Sequence, residues 1–480
     1  MSVDIRIDGR SVDLAAGATL GLKLTNPHFD FERVVSNTAT MPGFPLTRTN
    51  QQIFGYWEQP QAIGAAGGIL SRRRLEHYYN GQLIREAQFL LTEAGPGGYA
   101  GQMVEPLGEF FGDWQNKLLT ELDFGTLPVP AVIPAAGINL EGQLAVVFPT
   151  IINPDFYGTQ GAGAGYGGRM NPYSGGVYQM NGGAASGPLV PMVMLKWLLR
   201  KLALATNTTI DGDFLDHPAY SQLLLYNTRA LDGAATITIN RHLPVMTPVE
   251  LILEIRKLFC LQLDFDLVNG RLSMNFFQDA IAEGAVLDWS SKLAGRMVKT
   301  PEPNKRLKLG YDLDGGDALM KDKPSLLADY ETAGTSTFAT IKSQFSTLLT
   351  DNATYPDVGP LATTSQPGIT VQFGQLSNTF TPRLLFWNPV DGLPKAHNAL
   401  AGFGLYWNGL AGLYTNHWRE LEAMRQAQFW AKASLNLTET DLAGLKWHRK
   451  VHINGVNYFV VTVEVTLPIR KAATVLLVAA

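Results

Sequence analysis

Three glycines give the sequence its one match to a nucleotide-binding motif. The stretch GAGAGYGGR has the spacing G-x-G-x-x-G at Gly163, Gly165 and Gly168. In dinucleotide-binding proteins these glycines follow a strand and open a helix, whose N-terminus receives the pyrophosphate. Here NPDFYGTQ precedes the motif and RMNPYSGG follows it, and neither has the pattern of the required element. The motif is therefore interpreted as low-complexity loop, and no cofactor is predicted.

Two histidine-containing pairs have a spacing that could suit a metal ion. His448 and His452 lie in a segment predicted as a strand entering a hairpin, where strand rise separates their rings by roughly 13 Å. That distance is too long for a shared zinc ion. His417 and Glu420 are one helical turn apart, which suits a surface pair better than a metal site. No metal site is predicted.

The sequence lacks the local signatures of several enzyme classes. It contains no Gly-Lys dipeptide, which excludes a Walker A loop. The absence of G-x-S-x-G excludes the nucleophile elbow of α/β-hydrolases, and the absence of H-E-x-x-H excludes a zincin helix. A carboxylate pair for glycoside hydrolysis has no local signature and stays open. Asp264 and Asp266 share one strand face, which is predicted to face solvent. The chain is accordingly not predicted to be an enzyme, and Cys260, between apolar neighbours, is predicted to be buried.

The overall composition predicts a soluble, multi-domain protein. A chain of 480 residues exceeds one ordinary hydrophobic core. Charged residues make up 17%, below the average of roughly 25%, so either neighbours cover much of the surface or the surface is rich in Ser, Thr, Asn and Gly. The net charge of −4 argues against wrapping nucleic acid, although a basic patch remains compatible with it. No signal peptide or membrane span is predicted, and synthesis in a cytoplasm is expected.

Short-range patterns predict mainly antiparallel β structure. Asp8-Gly9, Asn80-Gly81, Asn269-Gly270 and Asn454-Gly455 each separate alternating apolar runs, and both residue types tolerate the positive φ of a tight hairpin. Three amphipathic helices are predicted among these strands. Their segments are TPVELILEIRKLF, Pro188 to Ala205, and Asn416 to Ala433.

A proline-rich segment near the N-terminus has more apolar side chains than a solvated loop needs. In TATMPGFPLTRTNQQIFGYWEQP, prolines 42, 45 and 60 would keep the chain extended and oppose edge-to-edge aggregation. The segment is predicted to be an arm, 38–60, that a neighbouring subunit covers; a loop packed on its own domain is the alternative. The predicted contact residues are Phe44, Leu46, Ile53, Phe54, Tyr56 and Trp57.

A second unusual segment runs from Pro154 to Pro188. It holds eleven glycines and five aromatic residues but only two charged residues, Asp155 and Arg169. A flexible linker would carry more charge and fewer rings, so the segment is predicted to lie on a neighbouring surface. Its predicted contact residues are Tyr157, Tyr166 and Tyr173.

The order of elements resembles the tail hub, or baseplate hub, proteins of long-tailed bacteriophages and prophages. A hairpin start precedes FPLTRTNQQIF, and VELILEIRKLFCLQLDFDLVNGRLSMNFFQDA forms a helix followed by a hairpin. LDWSSKL and NKRLKLGYDLDGGD come next, then a long insertion that includes the acidic loop YDLDGGDALMKDK, predicted to lie on the surface. A last helix leads into LNLTETDLAGLKWHRKVHINGVNYFVVTVEVTLP. The resemblance covers most of the chain through diffuse patterns.

The resemblance implies a structural virion protein of the tail, assembled in the host cytoplasm. It implies a homotrimer with two tube-like β-domains per subunit, which presents a pseudo-sixfold ring to the tail tube. The implied partners are copies of the chain, the tail tube, distal tail and tip or fibre proteins, and phage DNA that passes through the lumen without specific binding during genome ejection. A mildly acidic balance suits a lumen to which DNA does not adhere, and a lumen lined by Lys and Arg would contradict this.

The predicted fold class is mainly β with α insertions, with tube-like antiparallel barrel or sandwich domains and short amphipathic helices. Two other functions remain open. One is a β-rich tail component that binds a receptor or carbohydrate, supported by nine tryptophans and sixteen tyrosines. The other is a cell-wall hydrolase.

The chain is predicted to divide into four parts, and the domains are expected to be discontinuous in sequence. The parts are 1–130 (N-terminal β), 131–245 (loop and helical insertion), 246–310 (helix and hairpin) and 311–480 (long loop, helix and C-terminal β).

Overall fold

Antiparallel strands dominate the computed structural model, which confirms the predicted mainly-β class with short helices. Nine sheets, three of them large, are joined by these helices in the described part of the chain. The structure describes residues 3–35, 37–62, 71–104, 110–158, 166–179, 186–266, 269–351, 359–370, 380–389 and 392–480. No helix within these ranges is both long and apolar enough to cross a lipid bilayer.

The N-terminal sheet forms because its strands alternate apolar and polar side chains. Ile5, Ile7 and Leu75 point into a small core, where Phe89 also lies. Asn80 and Gly81 have φ values of 49° and 81°, as a tight turn requires, so this predicted hairpin is confirmed. In spatial order the five strands are Arg10–Ser11, Val3–Ile7, Arg73–Tyr79, Gln82–Gly95 and Gly98–Val104.

The large sheet joins the two ends of the chain. Strand Leu20–Thr25 pairs antiparallel with the second half of Val456–Leu467, and Thr38–Thr40 continues that edge. The predicted hairpin at Asn454-Gly455 is confirmed, and the strand after it is long enough to carry both neighbours. The six strands of the main path of this eight-stranded sheet are, in order, Leu287–Asp288, Lys450–Ile453, Val456–Leu467, Ala473–Ala479, Phe429–Leu435 and Val298–Pro301.

The central sheet lies in the main hydrophobic core. Its strand Met192–Met194 is fully buried and leads into helix Leu195–Ala205. The prediction of a helix from Pro188 to Ala205 is therefore wrong before Leu195. The apolar residues Met192–Met194 instead form a strand that pairs with a neighbour on each side. In order the sheet contains Ala396–His397, Arg383–Trp387, Leu223–Tyr226, Met192–Met194, Gln143–Val147 and Ile138–Leu140.

The helix-and-hairpin unit matches its prediction closely. Helix Pro248–Phe259 begins after Thr247, whose hydroxyl accepts a bond from the Glu250 amide while the Glu250 carboxylate accepts one from the Thr247 amide. Cys260 ends the helix with a φ of 47° and is buried as predicted; burial raises the pKa of its thiol. Strands Leu261–Asp266 and Arg271–Phe276 then pair antiparallel, with Thr209–Asp211 parallel beside them.

The predicted helix from Asn416 to Ala433 is wrong in its last third, after Ala427. A π-helical turn, Tyr414–Trp418, leads into helix Arg419–Ala427, which stops at Gln428. Beyond it the residues alternate, with Ala431, Ala433 and Leu435 buried, and they pair with Ala473–Ala479. Pairing within the large sheet therefore overrides the helical pattern of this run.

The remaining elements connect these units. A three-stranded sheet contains Tyr330–Glu331, Arg306–Tyr311 and Phe338–Ser343, and a four-stranded sheet contains Arg169–Met170, Ile151–Ile152, Leu361–Thr363 and Leu349–Asp351. Three strand pairs are Tyr173–Ser174 with Val177–Tyr178, Thr126–Pro128 with Thr236–Thr238, and Ala399–Leu400 with Phe403–Gly404. The other α-helices are Arg48–Phe54, Asp213–Asp216, Phe277–Ala282 and Glu439–Ala443. The 3-10 turns are Pro27–Phe29, Gly112–Trp114, Leu119–Glu121, Tyr220–Gln222, Ile239–His242, Ser290–Lys292 and Ser325–Leu327.

Candidate functional site

The proline-rich N-terminal segment is folded, and the prediction of an extended arm is wrong for it. Helix Arg48–Phe54 begins at Thr47, whose hydroxyl accepts a bond from the Asn50 amide at 3.2 Å. It ends at Gly55, which has a φ of 72°. A helix capped at both ends therefore occupies the middle of the segment, between prolines 45 and 60.

Three of the six predicted contact residues in this segment are buried by the chain itself. Phe44, Ile53 and Phe54 are 1%, 6% and 3% exposed and belong to the core of the N-terminal sheet. The ring of Phe54 lies 4.5 Å from that of Tyr99, and Phe44 exchanges two backbone hydrogen bonds with Tyr99, each 2.8 Å long. These three side chains are unavailable to a neighbouring subunit.

The other three residues keep a free surface. Leu46 and Tyr56 are 38% and 39% exposed, and Trp57 is half-buried. They lie just before and just after helix Arg48–Phe54, which is capped at both ends. Contact with a neighbouring subunit stays a prediction for this smaller set.

The predicted contact tyrosines of the glycine-rich segment are all half-buried. Tyr157 and Tyr166 pack edge to face with centroids 4.9 Å apart, and the Tyr166 hydroxyl donates to the carbonyl of Asn153 at 2.5 Å. Tyr173 packs against Tyr178, 5.0 Å away, within a short hairpin. Their rings contact the main core from its edge, and contact with a neighbouring subunit stays a prediction.

The glycine motif has no helix where nucleotide binding needs one. Gly163 and Gly165 lie outside the described residues. Gly168, the last glycine, has a φ of 71° and is followed by strand Arg169–Met170, which pairs with Ile151–Ile152. A strand in place of a helix provides no dipole to receive a phosphate.

One histidine of the predicted hairpin pair joins an unexpected cluster. His448 precedes strand Lys450–Ile453, and its Nδ1 lies 3.7 Å from Oδ2 of Asp264. The other oxygen of Asp264 is 3.2 Å from Nε2 of the buried His28. Asp264 is thus not a plain solvent-face residue, and His452, which pairs with Asn457, stays outside the cluster.

The pKa values of His28 and Asp264 both lie below their usual values. Burial lowers the pKa of His28. Burial would raise the pKa of Asp264, but the hydrogen bond and charge of His28, with His448 nearby, hold it below its usual value. Asp264 and His448 line a cleft of about 740 Å³ between the hairpin, the N-terminal sheet and the segment before Lys450. Within the described ranges, no three His, Cys, Asp or Glu side chains group as a metal ion requires.

His417 and Glu420 do not form the predicted surface pair. His417 is 3% exposed in the π-helical turn, and its Nε2 lies 2.5 Å from the hydroxyl of Tyr220. Glu420 instead pairs with its exposed neighbour Arg419 at 3.2 Å. The two side chains lie in different environments, because His417 faces the main core and Glu420 does not.

The acidic loop predicted to lie on the surface is partly buried. Asp317 is completely buried, and its Oδ2 lies 2.7 Å from Nη1 of Arg383, a buried residue of the central sheet. Asp314 contacts the other terminal nitrogen at 3.2 Å. Buried carboxylates of this kind occur where a cation pairs with them, so the loop has a structural role.

Exposed apolar side chains identify further surface that sequence analysis missed. Leu410 is 95% exposed, although its loop is fixed by Asn416, whose amide donates to the carbonyl of Ala411. Conversely, five of the nine tryptophans are buried and the other four are half-buried, and all nine lie within the described ranges. Exposed apolar residues favour protein contacts, whereas stacking on sugars needs accessible rings.

Comparison with known proteins finds solved structures that are similar to this chain, and two of them are tail proteins. No family model matches the chain, and no curated protein matches it. The 43 kDa tail protein of prophage MuSo2 from Shewanella oneidensis aligns over 99% of this chain and 97% of its own, with 7% identity and a TM-score of 0.38. A tail protein from Neisseria meningitidis MC58 aligns over 100% and 96%, with 10% identity and a TM-score of 0.39. Each is a distant likeness.

Proposed function

We propose that this chain is a structural protein of a bacteriophage or prophage tail, and that it acts as the hub joining the tail tube to the tip. The observation that carries the proposal is the joining of both chain ends in the large sheet, through Leu20–Thr25 and Val456–Leu467. The N-terminal sheet packs beside it, with Tyr79 and Ile84 in the core of the large sheet. Two adjoining sheets of mainly antiparallel strands support this proposal, because the sequence resemblance implies two β-domains.

The helix-and-hairpin unit supports the same proposal. It packs onto the large sheet through Phe277, whose ring lies 5.8 Å from that of Phe459. Three such chains would form a closed ring with a central channel for genome passage, and the tube and tip proteins would bind its two faces. In this proposal the protein holds partners in place and catalyses no reaction, and its location is the virion tail.

Labelling of assembled particles tests the proposed function. Gold-labelled antibody against this chain, applied to tail particles from the strain that carries the gene, is expected to mark one end of each tail. An antibody against the tail tube protein serves as the control and should mark the whole length. Label along the whole tail, or none on intact particles, would contradict a hub role.

Exposed residues flanking the N-terminal helix are expected to support trimer formation. The double variant Leu46→Asp/Tyr56→Asp should weaken self-association at least roughly 30-fold, the effect of losing about 2 kcal/mol at an apolar contact. Light scattering over a concentration series measures this.

The matched control is Leu204→Asp, at an exposed residue outside the predicted contact set. It should leave the mass unchanged. Equal loss of trimer in both variants, or in neither, would contradict the assignment of Leu46 and Tyr56 to the interface.

A further inference from the structure

One cleft on the solvent face of the large sheet combines threonine hydroxyls with basic side chains. Alternation explains its lining: Leu22 and Val465 point into the sheet's core, whereas Lys23 and Glu464 point outward. The cleft encloses about 580 Å³. Four of its five threonines come from three strands and one from the loop before strand Leu20–Thr25; they are Thr19, Thr38, Thr40, Thr466 and Thr474.

The charge of this cleft has the opposite sign to that of the whole chain. Lys23, Arg470 and Lys471 line it, against the single carboxylate of Glu464. Glu464 lies 3.2 Å from the Lys23 amine, so the charges of these two side chains compensate each other. Arg470 and Lys471 are exposed on the turn that follows strand Val456–Leu467. A chain of net charge −4 thus concentrates unbalanced positive charge at one concave site.

We propose that this cleft binds phosphate groups of the duplex DNA backbone. Lys, Arg and Thr are side chains that commonly contact phosphate oxygens without reading sequence. An acidic protein partner would bind through an interface with an apolar centre, and no exposed large apolar side chain lines this cleft. The proposal rests on the proposed tail function only for the source of the DNA. It differs from the prediction that DNA passes through the lumen without adhering, because it expects weak, reversible contact between the cleft and the DNA backbone.

The expected binding is weak and strongly dependent on salt. Sequence-independent complexes have dissociation constants of about 10⁻⁴ to 10⁻⁶ M at physiological salt. With a slope of about −0.9 per phosphate, two contacts, from Arg470 and Lys471, predict roughly 12-fold weaker binding between about 50 and 200 mM salt. Because such contacts release readily, they are compatible with DNA that must move.

Fluorescence anisotropy with the full-length protein and a labelled random-sequence duplex tests the proposal. The variant Arg470→Glu/Lys471→Glu is expected to bind at least about tenfold more weakly and to show a shallower salt dependence. The control Arg48→Glu/Lys321→Glu changes net charge equally at exposed residues outside the cleft and should stay within about twofold of the parent. The milder Arg470→Gln/Lys471→Gln keeps the test usable if charge reversal disturbs folding.

Three results would overturn the proposal. They are the absence of salt-dependent DNA binding by the parent protein, equal loss in the control variant, and binding of polyglutamate without binding of DNA. The last would identify an acidic protein as the partner instead. None of them alters where the antibody label falls on tail particles, so the proposed function is tested separately.

Discussion

Replacing Asp317 with asparagine is expected to lower the free energy of unfolding by about 3–5 kcal/mol. The carboxylate is completely buried, and one of its oxygens contacts Arg383 Nη1 and the Thr364 hydroxyl, at 2.7 and 2.6 Å. The other oxygen accepts bonds from the backbone amides of Leu319 and Ser365. Asparagine keeps the shape but removes the shorter of the two carboxylate contacts of the buried Arg383 guanidinium, leaving only Asp314, 3.2 Å away, to balance its charge.

The free energy of unfolding from urea titration measures this effect. The control is Asp216→Asn, because its pair with Lys196 is exposed and such pairs contribute about 0–1 kcal/mol. Adding Arg383→Met and Asp314→Asn to Asp317→Asn should recover part of the loss, since the triple variant leaves none of the three charges in the core. A loss no larger than that of the control would contradict a structural role for the buried pair.

Mild acid is expected to destabilise the fold through three buried histidines. Burial lowers the pKa of His77 to about 4, and burial with nearby cationic groups lowers the pKa of His242 and His417 to about 3. In the unfolded chain a histidine binds its proton near pH 6.5. The unfolded state therefore binds more protons below pH 6.5, and stability falls as the pH drops toward 4. At pH 5 each histidine should contribute about 2 kcal/mol of destabilisation relative to neutral pH.

His77→Leu isolates one of these contributions. Neither ring nitrogen of His77 has a hydrogen-bond partner within the described residues, so the substitution breaks no hydrogen bond of the side chain. Urea titrations at pH 7.5, 6.5, 5.5 and 5.0 should show stability falling less steeply in the variant than in the parent. Between pH 7.5 and 5.0 the variant should gain about 2 kcal/mol relative to the parent. Parallel curves would contradict the neutral, buried state of His77.

Local signals predicted the elements whose conformation is decided within a few residues. The Asn80-Gly81 and Asn454-Gly455 hairpins need only a turn with positive φ between alternating strands. Helix Pro248–Phe259 needs only its capping residue and its apolar periodicity. Where such signals compete with distant pairing, they fail: the run after Gln428 has a helical pattern but becomes a strand, because Ala473–Ala479 lies beside it.

The candidate sites depend on residues far apart in the chain, which explains why sequence analysis located them poorly. Asp317 looked like part of a solvated loop because Arg383 comes 66 positions later. The basic cleft joins Lys23 to Arg470, and no local pattern relates them. Phe44 and Phe54 were predicted as contact residues because aromatic content signals burial without specifying which surface covers the ring.

The mass of the purified protein in solution tests the central claim of a trimeric hub most directly. Light scattering at two salt concentrations should give a species near three times 52.4 kDa at both, because an interface with an apolar centre resists salt. A mass that stays at 52.4 kDa across the concentration series at both salt concentrations would contradict the claim.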